Sequence, residues 1–318
     1  MMRLRYTNFG FFSSFIIYFF LAVLTGCATP QALKLYSASN EDPLDVKFID
    51  LGEASLATYY NFTSGDAKKN ILFFFSGTGC FSHKNYIKPY LFGLKNINVF
   101  VLQKNGVSNN DFGFICSKEF DVYDNFDVWY QRQKKFISKI LEGTETTNAN
   151  IILMGVSEGA NVAGALINSN TEFTHLVLIS PLGKKMPNFL TEIGPNFGIS
   201  KVEIEKKITE INNNPLSNND YFAGKTFKYW SSFSKYDPQV ALRANIKPTL
   251  IGMGELDINT PPEPVKAIFD AKILKGDVSL DLIIYPKANH ILVDAKGNSN
   301  RELFLDEVNK FLTKTPKH

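Results

Sequence analysis

Little in this sequence invites a metal ion or a nucleic acid. The 318 residues include only three cysteines and four histidines. His83, His175, His290 and His318, with Cys27, Cys80 and Cys116, show none of the short intervals that metal-binding motifs use. No metal is expected. Charge is nearly balanced, 34 Lys and Arg against 31 Asp and Glu. Without a basic excess nothing marks a nucleic-acid surface. Internal repeats and low-complexity blocks are absent, which excludes solenoids and disordered arrays. The charge-free apolar run from Phe9 to Leu24 falls short of the ~20 residues that a spanning helix needs.

That run has another meaning. Arg3 and Arg5 precede it and Leu24-Thr25-Gly26-Cys27 follows it. A positive start, a short apolar segment and small residues before a cut describe a secretory signal; an uncleaved anchor is the alternative. Removing residues 1–26 leaves 32 basic against 31 acidic groups, because Arg3 and Arg5 go with the leader. "LTGC" resembles a bacterial lipobox. The resemblance implies a mature chain that begins at Cys27 and is tethered by acyl chains, each methylene contributing ~0.8 kcal/mol. Ala28 follows, where an Asp would direct inner-membrane retention, so the resemblance favours the outer membrane, facing the periplasm or the surface. Residues 27–45, with Pro30, Pro43 and many Ser and Asn, read as the lipidated cysteine and a spacer.

The remaining chain, residues 46–314, is long enough for one large core. "DVKFID" and "SLATYYNFT", split by Gly52, suggest a starting hairpin. "NILFFFSG" is a continuous apolar run, as in a strand buried on both faces. A helix follows at about Asn85 to Leu94, interrupted near Pro89, and then the strand "INVFVLQ". The stretch "DNFDVWYQRQKKFISKILEG" spaces Phe126, Trp129, Phe136, Ile137, Ile140 and Leu141 as an amphipathic helix, with Gly143 placed to close it. "THLVLISP", "KPTLIGMG" and "LDLIIYP" are further strands, and "RELFLDEVNKFLTK" is a last helix. Such alternation predicts an α/β fold, a mostly parallel central sheet with helices on both faces. Residues 184–245 hold no convincing strand and read as a small helical cap inserted at the ligand-binding side. Its Phe227, Tyr229, Trp230, Phe233 and Tyr236 are expected to pack cap onto core, one or two also lining a pocket.

One feature points to chemistry. In "ANIILMGVSEGANVAGALI" an apolar strand becomes a small-faced helix at Gly155-Val156-Ser157-Glu158-Gly159. A Gly-x-Ser-x-Gly turn of this kind exposes the serine Oγ. A serine hydroxyl becomes a nucleophile when a base takes its proton and a third group orients that base. Asp257 follows the strand in "KPTLIGMGELDINTPPE", and His290 follows the strand in "LDLIIYPKANHILVD". All three lie at carboxyl ends of strands, which a parallel sheet brings to one edge. "GVSEG", "PTLIGMGELDINTPPE" and "YPKANH" resemble the α/β-hydrolase family over about residues 45 to 314, in the family's order of serine, acid and histidine.

The resemblance implies an acyl-transferring enzyme without a cofactor. Ser157 would be the nucleophile, His290 the base and Asp257 its orienting acid. Rival assignments are Glu255 or Asp294 for the acid and a purely structural Ser157. His175 lies at the strand end opposite the site, His318 is terminal, and His83 is a candidate pocket residue. For the oxyanion the resemblance implies the backbone N–H of Glu158 and one from the loop after the third strand, placed at Thr78. Where the family commonly has His-Gly-x, this chain has Ser76-Gly77-Thr78. Cys80 ends that loop. With Cys116 it forms either a disulfide, worth roughly 3–4 kcal/mol on the chain-entropy model, or a pair of buried thiols. The expected function is hydrolysis of a carboxylic ester or related acyl bond in a small-molecule substrate, the membrane being met through the lipid. Two alternatives stand beside it: a non-catalytic envelope-binding protein, and a small-peptide hydrolase using Glu158, Glu255 or Glu263 to hold an amine.

The leader makes a direct prediction. Mass spectrometry of the native N-terminus should find a lipid-modified Cys27 with residues 1–26 gone, and Cys27→Ser should abolish the modification. A retained Met1 or an unmodified Cys27 refutes it.

Overall fold

The computed structural model describes residues 43–66, 70–113 and 115–313. The leader, Cys27 and most of the spacer lie outside them. The described chain begins with β1 (Lys47–Ile49) and β2 (Ala57–Ser64), the expected antiparallel pair. It continues through β3 (Asn70–Phe75), α1 (His83–Tyr90), β4 (Ile97–Leu102), α2 (Lys118–Tyr123), α3 (Phe126–Glu142), β5 (Asn150–Val156), α4 (Glu158–Leu166) and β6 (His175–Ile179). Then comes the insertion: α5 (Met186–Ile193), a 3₁₀ turn (Gly194–Phe197), α6 (Lys201–Asn213), β7 (Tyr221–Phe222), β8 (Lys225–Thr226), α7 (Phe227–Ser234) and α8 (Pro238–Ala244). β9 (Thr249–Gly254), α9 (Glu263–Ile273), β10 (Leu280–Tyr285) and α10 (Arg301–Thr313) complete it.

Eight strands form one sheet in the order β1-β2-β4-β3-β5-β6-β9-β10. From β4 to β10 every neighbouring pair is parallel; β2 runs antiparallel to both β1 and β4. The apolar run of β3 shows why continuous hydrophobicity was needed. Ile71, Phe73 and Phe75 enter the core beneath α3, α4 and the cap, whereas Leu72 and Phe74 enter the opposite core with Ile87 of α1 and Phe304, Leu305 and Val308 of α10. Side chains alternate across a strand, so a sheet covered on both faces must be apolar at every position.

The amphipathic segment 126–142 is helical as read. Asn125 Oδ1 accepts the Val128 N–H at 3.1 Å, Gly143 closes the far end, and Phe136, Ile137 and Ile140 are buried. Three elements differ from expectation. The helix expected at about Asn85 to Leu94 occupies His83–Tyr90, because Ser82 caps it and Pro89 falls in its last turn. The insertion contains a hairpin, β7–β8, turned by Ala223 and Gly224 at φ 47° and 74°. Two consecutive positive φ values make the tight turn that short hairpins use, and two-residue strands are too short for any periodicity. α9, which buries Val265 and Ile268, is a third element beyond the expected ones.

Two histidines are buried where they cannot carry charge cheaply. His175 starts β6, edge-on to Phe311 with ring centroids 5.2 Å apart, and burial lowers it to about 4. His83, at the start of α1, is lowered to about 3 by burial and then by the charge of Lys104. In the unfolded chain both titrate near 6.5. Both are neutral in either state at higher pH. Below about 6.5 the unfolded chain takes up protons that the folded one refuses, so stability falls as pH drops toward 4. Denaturant unfolding at pH 7 and pH 5 should show a loss on the order of 2 kcal/mol per histidine. His83→Asn and His175→Asn should each flatten that dependence.

Candidate active site

Ser157 stands between β5 and α4 with φ 55° and ψ −119°, a strained conformation that surrounding structure must enforce. The enforcement is visible. Ser157 N–H donates to Ile179 O of β6 at 2.8 Å, and Ser157 O accepts the Ala160 N–H at 3.0 Å. Gly159 is needed for space: a Cβ there would lie 2.2 Å from Phe75 O and 2.4 Å from Ser76 O. A Cβ on Gly155 would meet Gly159 O at 2.3 Å. The glycines therefore let α4 press against the ends of β3 and β5, and the loop after β3 passes beside the serine.

β9 and β10 deliver the other two side chains. His290 Nε2 lies 2.9 Å from Ser157 Oγ, and its Nδ1 lies 2.8 Å from Asp257 Oδ2. A carboxylate only accepts, so Nδ1 carries the proton and Nε2 is left to accept from the serine hydroxyl. Asp257 is buried, and its Oδ1 takes the N–H groups of Asn259 and Thr260, each at 2.9 Å. Thr260 Oγ1 donates to Oδ2 at 2.6 Å. Burial alone would raise this carboxyl; the neighbouring His290 and the Thr260 hydrogen bonds outweigh it and hold the group below its usual value. Ser180 Oγ donates to His290 O at 2.8 Å and pins the histidine loop to the end of β6. Glu255 instead accepts the Lys287 N–H, and Asp294 organises its own exposed loop through Lys296 and Asn298.

Thr78 and Glu158 sit side by side, Thr78 Oγ1 donating to Glu158 Oε2 at 2.8 Å. Tyr229 of α7 donates to the same oxygen at 2.8 Å, and Lys104, just past β4, donates to Oε1 at 3.0 Å. Burial opposes ionisation of Glu158, but the charges of Lys104 and Lys225 prevail and keep it below the usual carboxylate value. Cys80 and Cys116 form a disulfide with Cα atoms 5.6 Å apart. It ties the end of the Thr78 loop to the segment just before α2.

Above Ser157 opens a cavity of about 550 Å³. The serine, His290, Thr78 and Glu158 form its floor. The cap forms much of its wall, with Met186, Phe189, Leu190 and Ile193 of α5 and Tyr229, Trp230 and Phe233 of α7. Three of the five cap aromatics therefore line it. Tyr236 stacks on Phe126 at 5.1 Å, and Phe227 is buried in the core. His83 does not reach the cavity: it is buried at the start of α1, beside Gln103 and edge-on to Tyr60. Glu255 and Glu263 are also off the wall, and Glu158 is fully engaged. No described group of His, Cys, Asp and Glu could hold a metal.

Comparison with known proteins fits this geometry. The model of the Prolyl oligopeptidase family matches residues 195–317, which include Asp257 and His290 but not Ser157. Among solved structures, Est1E from Butyrivibrio proteoclasticus is similar over 84% of this chain and 97% of its own, at 15% identity and TM-score 0.56. A soluble variant of monoglyceride lipase from Saccharomyces cerevisiae covers 86% and 96%, at 12% identity and TM-score 0.58. The fold is that of the α/β-hydrolases. Acylaminoacyl peptidase from Pyrococcus horikoshii is similar as well, at 13% identity and TM-score 0.58 over 87% of this chain and 43% of that one. No curated protein matches in sequence. The family match spans under half of the chain; together with Ser157, His290 and Asp257 joined as described, it supports a serine hydrolase.

Several residues around this site have no clear sequence signal: Ser180, Thr260, Lys104, Lys225 and Asp124, which pairs with both lysines. Only Lys104 left a trace, as a lysine two residues past a buried apolar strand. The close approach at Gly159 carries a prediction. Gly159→Ala should destabilise by about 1–3 kcal/mol and eliminate covalent labelling of the serine by a fluorophosphonate. Gly143→Ala, whose nearest new contact is 3.9 Å, should lie within ~0.5 kcal/mol of wild type in the same denaturant titration.

Proposed function

We propose that this serine hydrolase is an esterase that cleaves carboxylic esters carrying an apolar acyl group. The observation that carries the proposal is the unbroken chain from Asp257 through His290 to Ser157, ending in an apolar cavity. In this reading Ser157 Oγ bonds to the acyl carbon while its proton passes to His290 Nε2. The backbone N–H groups of Thr78 and Glu158 stabilise the oxyanion. Collapse breaks the bond to the leaving oxygen, which takes the proton from His290. A water deprotonated by His290 then releases the acid from Ser157.

The cavity supports an apolar partner by size and by lining. At about 30 Å³ for a group the size of a water molecule, 550 Å³ admits roughly 18 such groups. A peptidase that holds a substrate amine needs a free carboxylate, but Glu255 and Glu263 are off the wall and Glu158 is already paired. The carboxylate at the rim, Asp121, accepts from Tyr221 at 2.9 Å. A binding protein without catalysis is disfavoured because the histidine is in place and the cavity is open. We further propose that Cys27 carries the lipid and residues 28–45 hold the domain near the outer membrane.

Purified protein from residue 28 onward should hydrolyse p-nitrophenyl esters, with kcat/KM rising about 10²-fold from acetate to hexanoate at ~0.8 kcal/mol per buried methylene. Ser157→Ala should abolish fluorophosphonate labelling. His290→Ala should lower turnover by ~10²–10⁴, and Asp257→Asn should be severe through the wrong tautomer. Equal labelling of wild type and Ser157→Ala would refute the nucleophile. Preference for amides over esters would favour the peptidase.

A further inference from the structure

The floor of the cavity rests on buried charge. Lys104 and Asp124 are buried beside Glu158, and Lys225 lies within the same cluster. Lys104 Nζ reaches Glu158 Oε1 at 3.0 Å, Gly77 O at 3.1 Å and Asp124 Oδ1 at 3.7 Å, and it lies 3.8 Å from the centre of the Trp129 ring. Lys225 pairs with Asp124 and sits over the Tyr229 ring at 4.6 Å. Two ammonium groups and two carboxylates thus balance in charge. Well-packed apolar side chains would hold the fold at least as firmly as such a cluster. Its connections suggest another use. Glu158 Oε2 binds the Thr78 hydroxyl from the β3 loop and the Tyr229 hydroxyl from the cap, and Lys104 holds the intervening Gly77 carbonyl.

We propose that the Glu158 carboxylate is a positioning residue that sets both oxyanion donors and makes their placement depend on the docked cap. The inference rests on the assignment of Thr78 and Glu158 as those donors. A hydrogen bond to an oxyanion demands a narrow distance, and losing one donor lowers turnover by ~10²–10³. A carboxylate that fastens one donor residue to the other, with the cap as a third attachment, removes the freedom that would loosen both. Apolar substrate that packs against α7 would stiffen the same link through Tyr229.

The test separates positioning from folding. Glu158→Gln should lower kcat about 10–100-fold with KM within about twofold, but it also leaves Lys104 buried with less negative charge. The double variant Glu158→Gln/Lys104→Met removes one charge of each sign. It should recover most of the lost thermal stability while kcat stays low. Affinity for an alkyl boronic acid, which forms a tetrahedral anion on the serine, should fall in parallel with kcat. Thr78→Val should lower kcat about 10-fold, Thr78→Ser should recover most of that loss, and Tyr229→Phe should fall between. Recovery of kcat together with stability in the double variant, or wild-type kcat in Thr78→Val, would overturn the proposal. If the wild-type protein itself is not labelled by a fluorophosphonate, the nucleophile assignment fails first, and that result is distinct from a labelled enzyme indifferent to Glu158.

Discussion

The site depends on the backbone around Ser157. A residue at φ 55° at the end of a central strand is held there by its N–H bond to β6. Contact between Gly159 and the last carbonyls of β3 is the second restraint. The serine thereby stands clear of the sheet while β3, β5 and β6 fix its position from three sides. Because these strands are parallel, the same geometry places the ends of β9 and β10 on the same edge. Asp257 and His290 need only short loops to arrive there. Ser180 and Thr260 then fix those loops to each other and to the end of β6, so orientation of the imidazole is shared by three strands.

The cap meets this edge with two different kinds of contact. Its apolar helices form much of the wall of the cavity above the serine, whereas Tyr229 and Lys225 reach down into a charged cluster. A low dielectric strengthens these attractions and also makes an unmatched charge costly. Balance between Lys104, Lys225, Asp124 and Glu158 is therefore a condition for docking the cap here. The two carboxyls respond differently. Asp124 is raised by burial, partly offset by Lys225 and reinforced by the nearby Glu158, while Glu158 is lowered by the lysines it faces.

The disulfide adds a covalent constraint to the same region. It closes 36 residues between the end of the Thr78 loop and the cavity wall, which on the chain-entropy model contributes about 4 kcal/mol. A histidine commonly braces this loop in the resembled family. Here the loop is held by the Cys80 bond at one end and by Lys104 and Glu158 at Gly77 and Thr78.

The one-dimensional pattern was sufficient for the sheet and for the three residues joined above it. Buried parallel strands need continuous apolar runs, and β3, β5, β6 and β9 have them. A strand, a Gly-x-Ser-x-Gly turn and a small-faced helix located Ser157, and the order of strand-end motifs located Asp257 and His290. Periodicity also placed α3, because its apolar face repeats over four turns. It could not show β7–β8, whose strands are two residues long. Nor could it decide whether Cys80 reaches Cys116, since pairing depends on a separation of Cα atoms that spacing does not encode. Glu158 illustrates the limit most clearly. In the sequence it was an acid free to bind an amine; in the fold it is enclosed by donors from the β3 loop, β4 and the cap, segments up to 80 residues away. Local pattern reports which face a residue presents, whereas the partner of a buried charge is chosen only when distant segments pack together.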